Sequence, residues 1–291
     1  MRGDGDGWSF GSDGQRHWGK HGAAGLLLRA PGDDGSPRVL LQHRAAWSHE
    51  GGTWSIPGGA RDSHEDAVTA AVREAQEECG LDPDRIAVRT DLRTAGETAT
   101  WTYTTVVADT DAPQDTTANR ESLELAWIPE RDVTGMPLHH AFAEAWPALR
   151  TRPLRLIVDM ANLVGSRPDG WWRDRAGATE RMLDALEAGL PKTVPLGRGG
   201  GPGEAGADGS RGAFGWTTQV IAVVEGKGRA AGGRDAIDVV RAPGSGDDTI
   251  AETASGMWDG PIAVVTADRG LQARLPAGAV VLAPRRVLGW L

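Results

Sequence analysis

From Leu154 onward the sequence changes rhythm, and that change narrows the available folds more than any other feature. LRLIVD (154–159), TQVIAVVE (218–225), IDVVRA (237–242) and PIAVVTAD (261–268) are short runs rich in β-branched residues and apolar almost throughout. A strand with water on one face alternates apolar and polar side chains, so unbroken apolar runs belong to strands covered on both faces. Helical stretches at 174–188 and 247–258 lie between them, and this alternation specifies α/β architecture around a parallel sheet.

The first half reads differently. AAGLLL (23–28) and PRVLLQHR (37–44) flank the turn-rich PGDDGS and predict a hairpin. Further strands are expected at RIAVRT (85–90), TWTYTTVVAD (100–109) and LELAWI (123–128), with helices at 63–79 and 138–150. The expected organisation is a disordered Gly/Asp-rich tail (1–16), a first domain (17–150) and a second domain (154–291) carrying a flexible Gly-rich insertion (195–212). The insertion contains GPGEAG, a formal match to the dinucleotide fingerprint. It lacks the preceding strand and following helix that such a loop needs.

Charge separates the halves as well. Residues 1–150 hold 14 Lys/Arg against 24 Asp/Glu, and the remainder hold 17 against 16, completing the chain's 31 and 40. An acidic first half is a poor partner for long nucleic acid but compatible with a phosphorylated small molecule that arrives with a cation. The single Cys79 excludes an internal disulfide framework and a multi-cysteine zinc site. No apolar run reaches the roughly 18 residues of a membrane span, and the first residues lack the apolar core of a secretion signal. The cytoplasm is the expected location.

The segment GGARDSHEDAVTAAVREAQEECGL (58–81) carries the chemistry. Ser63 with Asp66 suggests an N-terminal capping box and Gly80 a C-terminal stop. Ala67, Ala70, Ala71 and Ala75 form a small-residue face that lets the helix lie close on a sheet, with Glu74, Glu77 and Glu78 expected on the outward side. Like charges at i, i+3 and i+4 repel by roughly 0.2–0.5 kcal/mol per pair. A bound divalent ion would make that crowding useful. Oxygen-rich, sulfur-free ligation suits Mg²⁺ or Mn²⁺; a solvated acidic face is the alternative.

Read from Gly59, the order is five residues, Glu65, seven residues, Arg73-Glu74-Ala75-Gln76-Glu77-Glu78-Cys79-Gly80-Leu81. This resembles the complete signature of the Nudix hydrolase family, and the pattern from about 17 to 150, including WSIPGG, is similar to a Nudix domain. The resemblance implies an α/β/α sandwich around a mixed sheet and cleavage of a nucleoside diphosphate linked to another group. It implies Glu77 and Glu78 as metal ligands, Glu74 as ligand or base, a carbonyl of Gly58 or Gly59 as a further ligand, and a Glu65–Arg73 ion pair holding the loop–helix–loop shape. It also implies one more catalytic glutamate from outside the helix. Glu121 is the candidate, with Glu124 and Glu97 as rivals, and each also reads as a surface carboxylate. Trp47, Trp54, Trp101, Tyr103 and Trp127 are candidates for stacking on a base, with core packing the alternative for each.

In the second half, acids recur where strands end: Asp159, Glu225, Asp247, Asp248 and Asp268. In an open parallel sheet those ends share one edge, although Asp is also a common helix N-cap. Asp159-x-x-Asn162, GSGDD and TAD resemble the PIN-like nuclease superfamily, in particular its NYN branch. That resemblance implies Mg²⁺ held by Asp159, Asp268 and one of Asp247 or Asp248, assisted by Asn162 and Glu225. SRPDGWWRDR (166–175) sets arginines beside stackable tryptophans, which suits single-stranded RNA. The expected function is Mg²⁺-dependent hydrolysis of a nucleotide-derived small molecule. The alternatives are RNA cleavage by the second domain, or that domain as a non-catalytic binding or assembly module.

Overall fold

The computed structural model describes residues 3–10, 16–98, 101–189, 192–197 and 214–291, with the side chains of residues 97 and 98 outside that set. Its contacts divide the chain into two compact units, Met1–Thr151 with Gly197–Phe214, and Arg152–Leu196 with Gly215–Leu291. Residues 198–213 of the Gly-rich insertion lie outside the described residues. Among the described residues no helix is long and apolar enough to cross a membrane.

The first unit opens with β1 (Trp8–Phe10) and β2 (Arg16–Trp18), an antiparallel pair in which Trp8 faces Trp18. Of the tail expected at 1–16, residues 1, 2 and 11–15 lie outside the described residues. The two tryptophan rings meet edge-on at 5.3 Å and Arg16 lies over Trp8, so aromatic contacts order a segment whose Gly/Asp content pointed the other way. β3 (Ala23–Pro31) and β4 (Pro37–Arg44) form the expected hairpin. After them come β5 (Trp54–Ser55), β6 (Gly58–Ala60), helix α1 (Ala67–Cys79), β7 (Ala87–Thr98), β8 (Trp101–Asp109), β9 (Ser122–Pro129) and α2 (His140–Leu149).

Seven of these strands build one mixed sheet in the order β5-β4-β3-β8-β7, with β6 added to β3 and β9 to β4. The β3–β8 pair is parallel and the rest are antiparallel. β3 is covered on both faces, which is why AAGLLL is apolar without alternation. Leu26 and Leu28 point to one core with α1, while Leu27 points to the other with Phe142 and Trp146 of α2.

Helix α1 begins at Ala67 rather than at 63. Asp66 is its N-cap, accepting from the Thr69 amide at 2.7 Å, while Ser63 lies before the helix and donates to Asp4. Gly80 ends it with φ +71, the left-handed geometry that glycine adopts without strain, and returns its amide to Gln76. Ala70, Ala71 and Ala75 are fully buried against the sheet. The outward face is not uniformly outward, however: Glu77 is exposed, but Glu78 is buried.

The second unit runs through β10 (Thr151–Asp159), α3 (Met160–Gly165), α4 (Arg175–Ala188), β11 (Thr193–Pro195), β12 (Phe214–Val224), β13 (Asp238–Arg241), α5 (Gly246–Ser255), β14 (Ile262–Val265), α6 (Arg269–Gln272), β15 (Val280–Leu282) and α7 (Pro284–Leu288). Its sheet has the order β11-β12-β10-β14-β15, with β13 beside β12. β10 with β14, β14 with β15, and β12 with β13 run parallel. Ile157, Val223 and Val264 are buried beneath α5, and these are residues of the unbroken apolar runs.

Candidate active site

The sheet brings the glycine turn under α1. β6 pairs with β3 so closely that a side-chain carbon at Gly58 would lie 2.4 Å from the Ala24 carbonyl oxygen. At Gly59 it would lie 2.6 Å from the Glu74 carboxylate. Bare backbone here lets α1 settle until its glutamates touch the turn. The Gly58 amide donates to Glu78 Oε2 at 3.0 Å.

Arg73 organises the other side. It grips Glu65 through two bonds of 2.7 and 2.9 Å, donates to Glu74 at 2.9 Å and to the Ala60 carbonyl at 3.1 Å, and lies 3.6 Å from Glu77. The bond from Arg73 holds the Glu65 carboxyl below its ordinary range, and the same bond raises Arg73. Glu65 also accepts the Asp62 amide, so the ion pair locks the loop to the helix.

Burial dominates at the remaining carboxylates. Glu74 is raised by burial, although Arg73 opposes the shift. Glu78 is pushed up to about 8, first by burial and then by the charge of Glu74. Glu121 adds to the rise at both residues, so its charge reaches the same place. The Thr117 amide donates to the Cys79 carbonyl at 2.8 Å and the Asn119 amide to the Glu78 backbone carbonyl at 3.3 Å, stitching the loop before β9 to the end of α1. Glu124 lies on β9 opposite His43, and the Glu97 side chain lies outside the described residues. Glu78 and Glu74 thus adjoin the glycine turn, Glu121 acts on both through its charge, and Glu77 stands exposed. Cys79 is buried, and burial pushes its thiol up to about 12, which leaves it unsuited to nucleophilic work.

A cleft of 660 Å³ opens beside this cluster, with Gly58, Gly59, Arg44 and Tyr103 in its wall. Of the five aromatic candidates, Trp47, Trp101 and Tyr103 line it. Trp54 instead stacks on His43 within the core, and Trp127 packs on the α1 core while donating to the Gln114 carbonyl. Sequence reading missed Trp8, His17 and Trp18, which share the cleft wall; His17 stacks on Trp101 at 4.2 Å. The signal was present as tryptophans in short alternating stretches at 8–10 and 16–18.

In the second unit the acids lie at or just after strand ends. Asp159 is the last residue of β10, is buried, and accepts from the Asn162 amide, the Asn162 side chain and the Thr266 hydroxyl at 2.8–3.0 Å. Asp268 caps α6. Glu225 accepts the Gly246 amide at 2.6 Å. Asp247 is raised by burial, then by the charges of Asp268 and Asp159, with Glu225 adding. Asp248 points elsewhere, paired with Arg274 at 2.6 Å. Asp159 and Asp268 also serve as helix N-caps, so the structural and the chemical readings meet on the same residues.

Comparison with known proteins bears on the first unit. The NUDIX domain model matches residues 19–150. A Mycobacterium tuberculosis protein provisionally named 8-oxo-dGTP diphosphatase 3 is 57% identical over 157 residues, which cover 53% of this chain and 72% of that protein. A nucleoside triphosphate pyrophosphatase/Nudix hydrolase fusion protein of Bifidobacterium longum is 41% identical over 154 residues, 51% of this chain and 31% of that protein. Among solved structures, a Nudix hydrolase from M. smegmatis is 55% identical over 49% of this chain and 91% of its own, with a TM-score of 0.47. Because the M. tuberculosis relative is 57% identical and 72% of its length is covered, the chain belongs to the Nudix hydrolase family.

Proposed function

We propose that the first unit (Nudix domain, 17–150) hydrolyses a nucleoside diphosphate linked to another group, with Mg²⁺ or Mn²⁺ held by Glu74, Glu77, Glu78 and the Gly59 carbonyl. The observation that carries this is Glu78: a buried carboxyl beside two other carboxylates, with a backbone amide as its hydrogen-bond donor. Such a crowd of oxygens fits a hard divalent cation and little else. When bound, the ion would supply charge neutralisation of the diphosphate and lower the pKa of a water. Glu121 or Glu74 would take the proton of the attacking water, whose oxygen bonds to phosphorus. The phosphorus–oxygen bond of the anhydride breaks, and a nucleoside phosphate or its partner phosphate leaves with the electron pair. Arg73, tied to Glu65, holds Glu74 in position. The cleft walled by Trp47 and Trp101 receives the nucleoside. The name of the M. tuberculosis relative favours an oxidised purine nucleoside triphosphate as the substrate.

The test is product analysis on a panel of normal and oxidised triphosphates, ADP-ribose and dinucleoside polyphosphates with Mg²⁺, for wild type and Glu78→Gln. Turnover that disappears in the variant supports the assignment. Equal turnover in both refutes it.

A second reading rests on the mutual charge effects of Asp159, Asp247, Asp268 and Glu225. It takes residues 154–291 as a PIN-like, NYN-type domain with a parallel sheet, cleaving or binding single-stranded RNA, or serving as an assembly module. The cytoplasm is the location this enzyme would occupy. Asp159→Asn should abolish RNA cleavage while sparing nucleotide hydrolysis. Absence of both RNA cleavage and RNA binding in the wild type would end the nuclease and RNA-binding forms of this reading.

A further inference from the structure

The cleft wall carries a second ligand cluster of different chemistry. One ring nitrogen each of His49 and His139 and one carboxylate oxygen of Glu50 lie within 4.8 Å of one another. We propose that His49, Glu50 and His139 form a binding site for a transition-metal ion of the zinc class, which clasps the loop after β4 to the start of α2.

The donor set argues for the class of ion. Two imidazoles and one carboxylate suit Zn²⁺ and its neighbours, whereas Mg²⁺ prefers oxygen alone. The glutamates of α1 have the opposite character, so the two sites would select different metals.

The backbone supplies an independent argument. Glu50 is the one non-glycine residue with positive φ, at +52, among the described residues. Such a conformation in a residue with a long side chain persists only where its surroundings enforce it. Here the Thr53 hydroxyl donates to the Glu50 carbonyl at 2.6 Å. The outcome is that the carboxylate turns toward α2. Its Oε2 accepts the His140 amide at 2.9 Å and lies 3.7 Å from His139 Nε2, while Oε1 meets His140 Nδ1. Hydrogen bonds of this kind orient a ligating carboxylate.

The histidines complete the picture. Their rings, at 49 and 139, stand 5.8 Å apart. His49 is exposed, which gives an ion a route in. His49, His139 and His140 all line the cleft, so a bound ion would stiffen that wall.

The experiment uses the full chain without a histidine tag, stripped with EDTA and dialysed, then titrated calorimetrically with ZnCl₂ at neutral pH. One equivalent of zinc should bind, and a large excess of Mg²⁺ should not displace it. His49→Ala and His139→Ala should each weaken binding about tenfold or more, whereas Glu78→Gln should bind zinc like the wild type. Because His49 is exposed, its variant keeps the fold. Zinc should raise the melting temperature of the wild type and of Glu78→Gln but not of His49→Ala. The proposal is overturned if the wild type binds no zinc, if His49→Ala binds it equally well, or if Glu78→Gln abolishes it. Failure of the hydrolase assignment would show instead as unaffected nucleotide turnover in Glu78→Gln, a separate readout.

Discussion

Metal-free protein should lose stability as pH rises, and Glu78 should be the principal reason. Its carboxyl titrates at 4.5 in an unfolded chain and at about 8 in the fold. Below 4.5 both states carry the proton, so burial of the neutral acid is tolerated. Between 4.5 and 8 the unfolded state releases the proton and the folded state keeps it, so stability falls with pH. Above 8 both are ionised and the loss is complete. At about 1.4 kcal/mol per pH unit the loss has a ceiling near 5 kcal/mol, a large share of the roughly 5–15 kcal/mol of an ordinary domain. The assay is urea unfolding in EDTA at pH 5, 6, 7 and 8, for wild type and Glu78→Gln. Their difference reports Glu78 together with the groups coupled to its charge, Glu74 first among them. It should shift steadily against the wild type, and saturating Mg²⁺ should flatten it by stabilising the charged form. A difference that stays flat without metal, or that moves in favour of the wild type, would refute the picture of a buried carboxylate among like charges.

Three further outcomes follow from named contacts. Glu130→Ala should destabilise the first unit by about 3–5 kcal/mol in denaturant titration, because it strands the fully buried Arg29 that Glu130 holds at 2.9 Å. Gly59→Ala should lower kcat by about tenfold or more while leaving the thermal midpoint within a few degrees, since the new methyl group displaces the Glu74 carboxylate now 2.6 Å from that position. Asp159→Ala should cost about 1–3 kcal/mol, because the Asn162 amide and the Thr266 hydroxyl lose their acceptor. Nucleotide hydrolysis, measured alongside, should be unchanged.

The glutamate helix was legible because residues three and four apart share a helical face. That same spacing puts Glu74 and Glu78 on the side of Ala71 and Ala75 rather than outward, and the burial of Glu78 follows from it. Sequence reading put Glu121 ahead of its rivals Glu124 and Glu97, and the amide bonds from Thr117 and Asn119 tie the loop that carries Glu121 to the end of α1. Asp247 and Asp248 are adjacent in sequence, and only the position of Arg274 separates them. The strand at 8–10 was not legible because Gly and Asp dominate the composition around it, and composition does not record the contact of Trp8 with Trp18. The His49–Glu50–His139 cluster has no motif, since the topology rather than the local sequence joins its members.

The parallel pairing of β3 with β8 has a consequence for biosynthesis. Leu26 lies opposite Val106, eighty positions further along the chain, and β8 completes the floor on which α1 rests. Helix α1 is therefore made before its support. At about 5–20 residues per second of translation, the thirty residues from Cys79 to Asp109 take a few seconds. During that interval the acidic helix is in water with only β3, β4 and β6 beneath it. Long-range pairing of this kind is slow to find, so the arrival of β8 should set the rate at which active enzyme accumulates, and a nascent chain halted before Trp101 should carry every glutamate of the helix yet no catalytic centre.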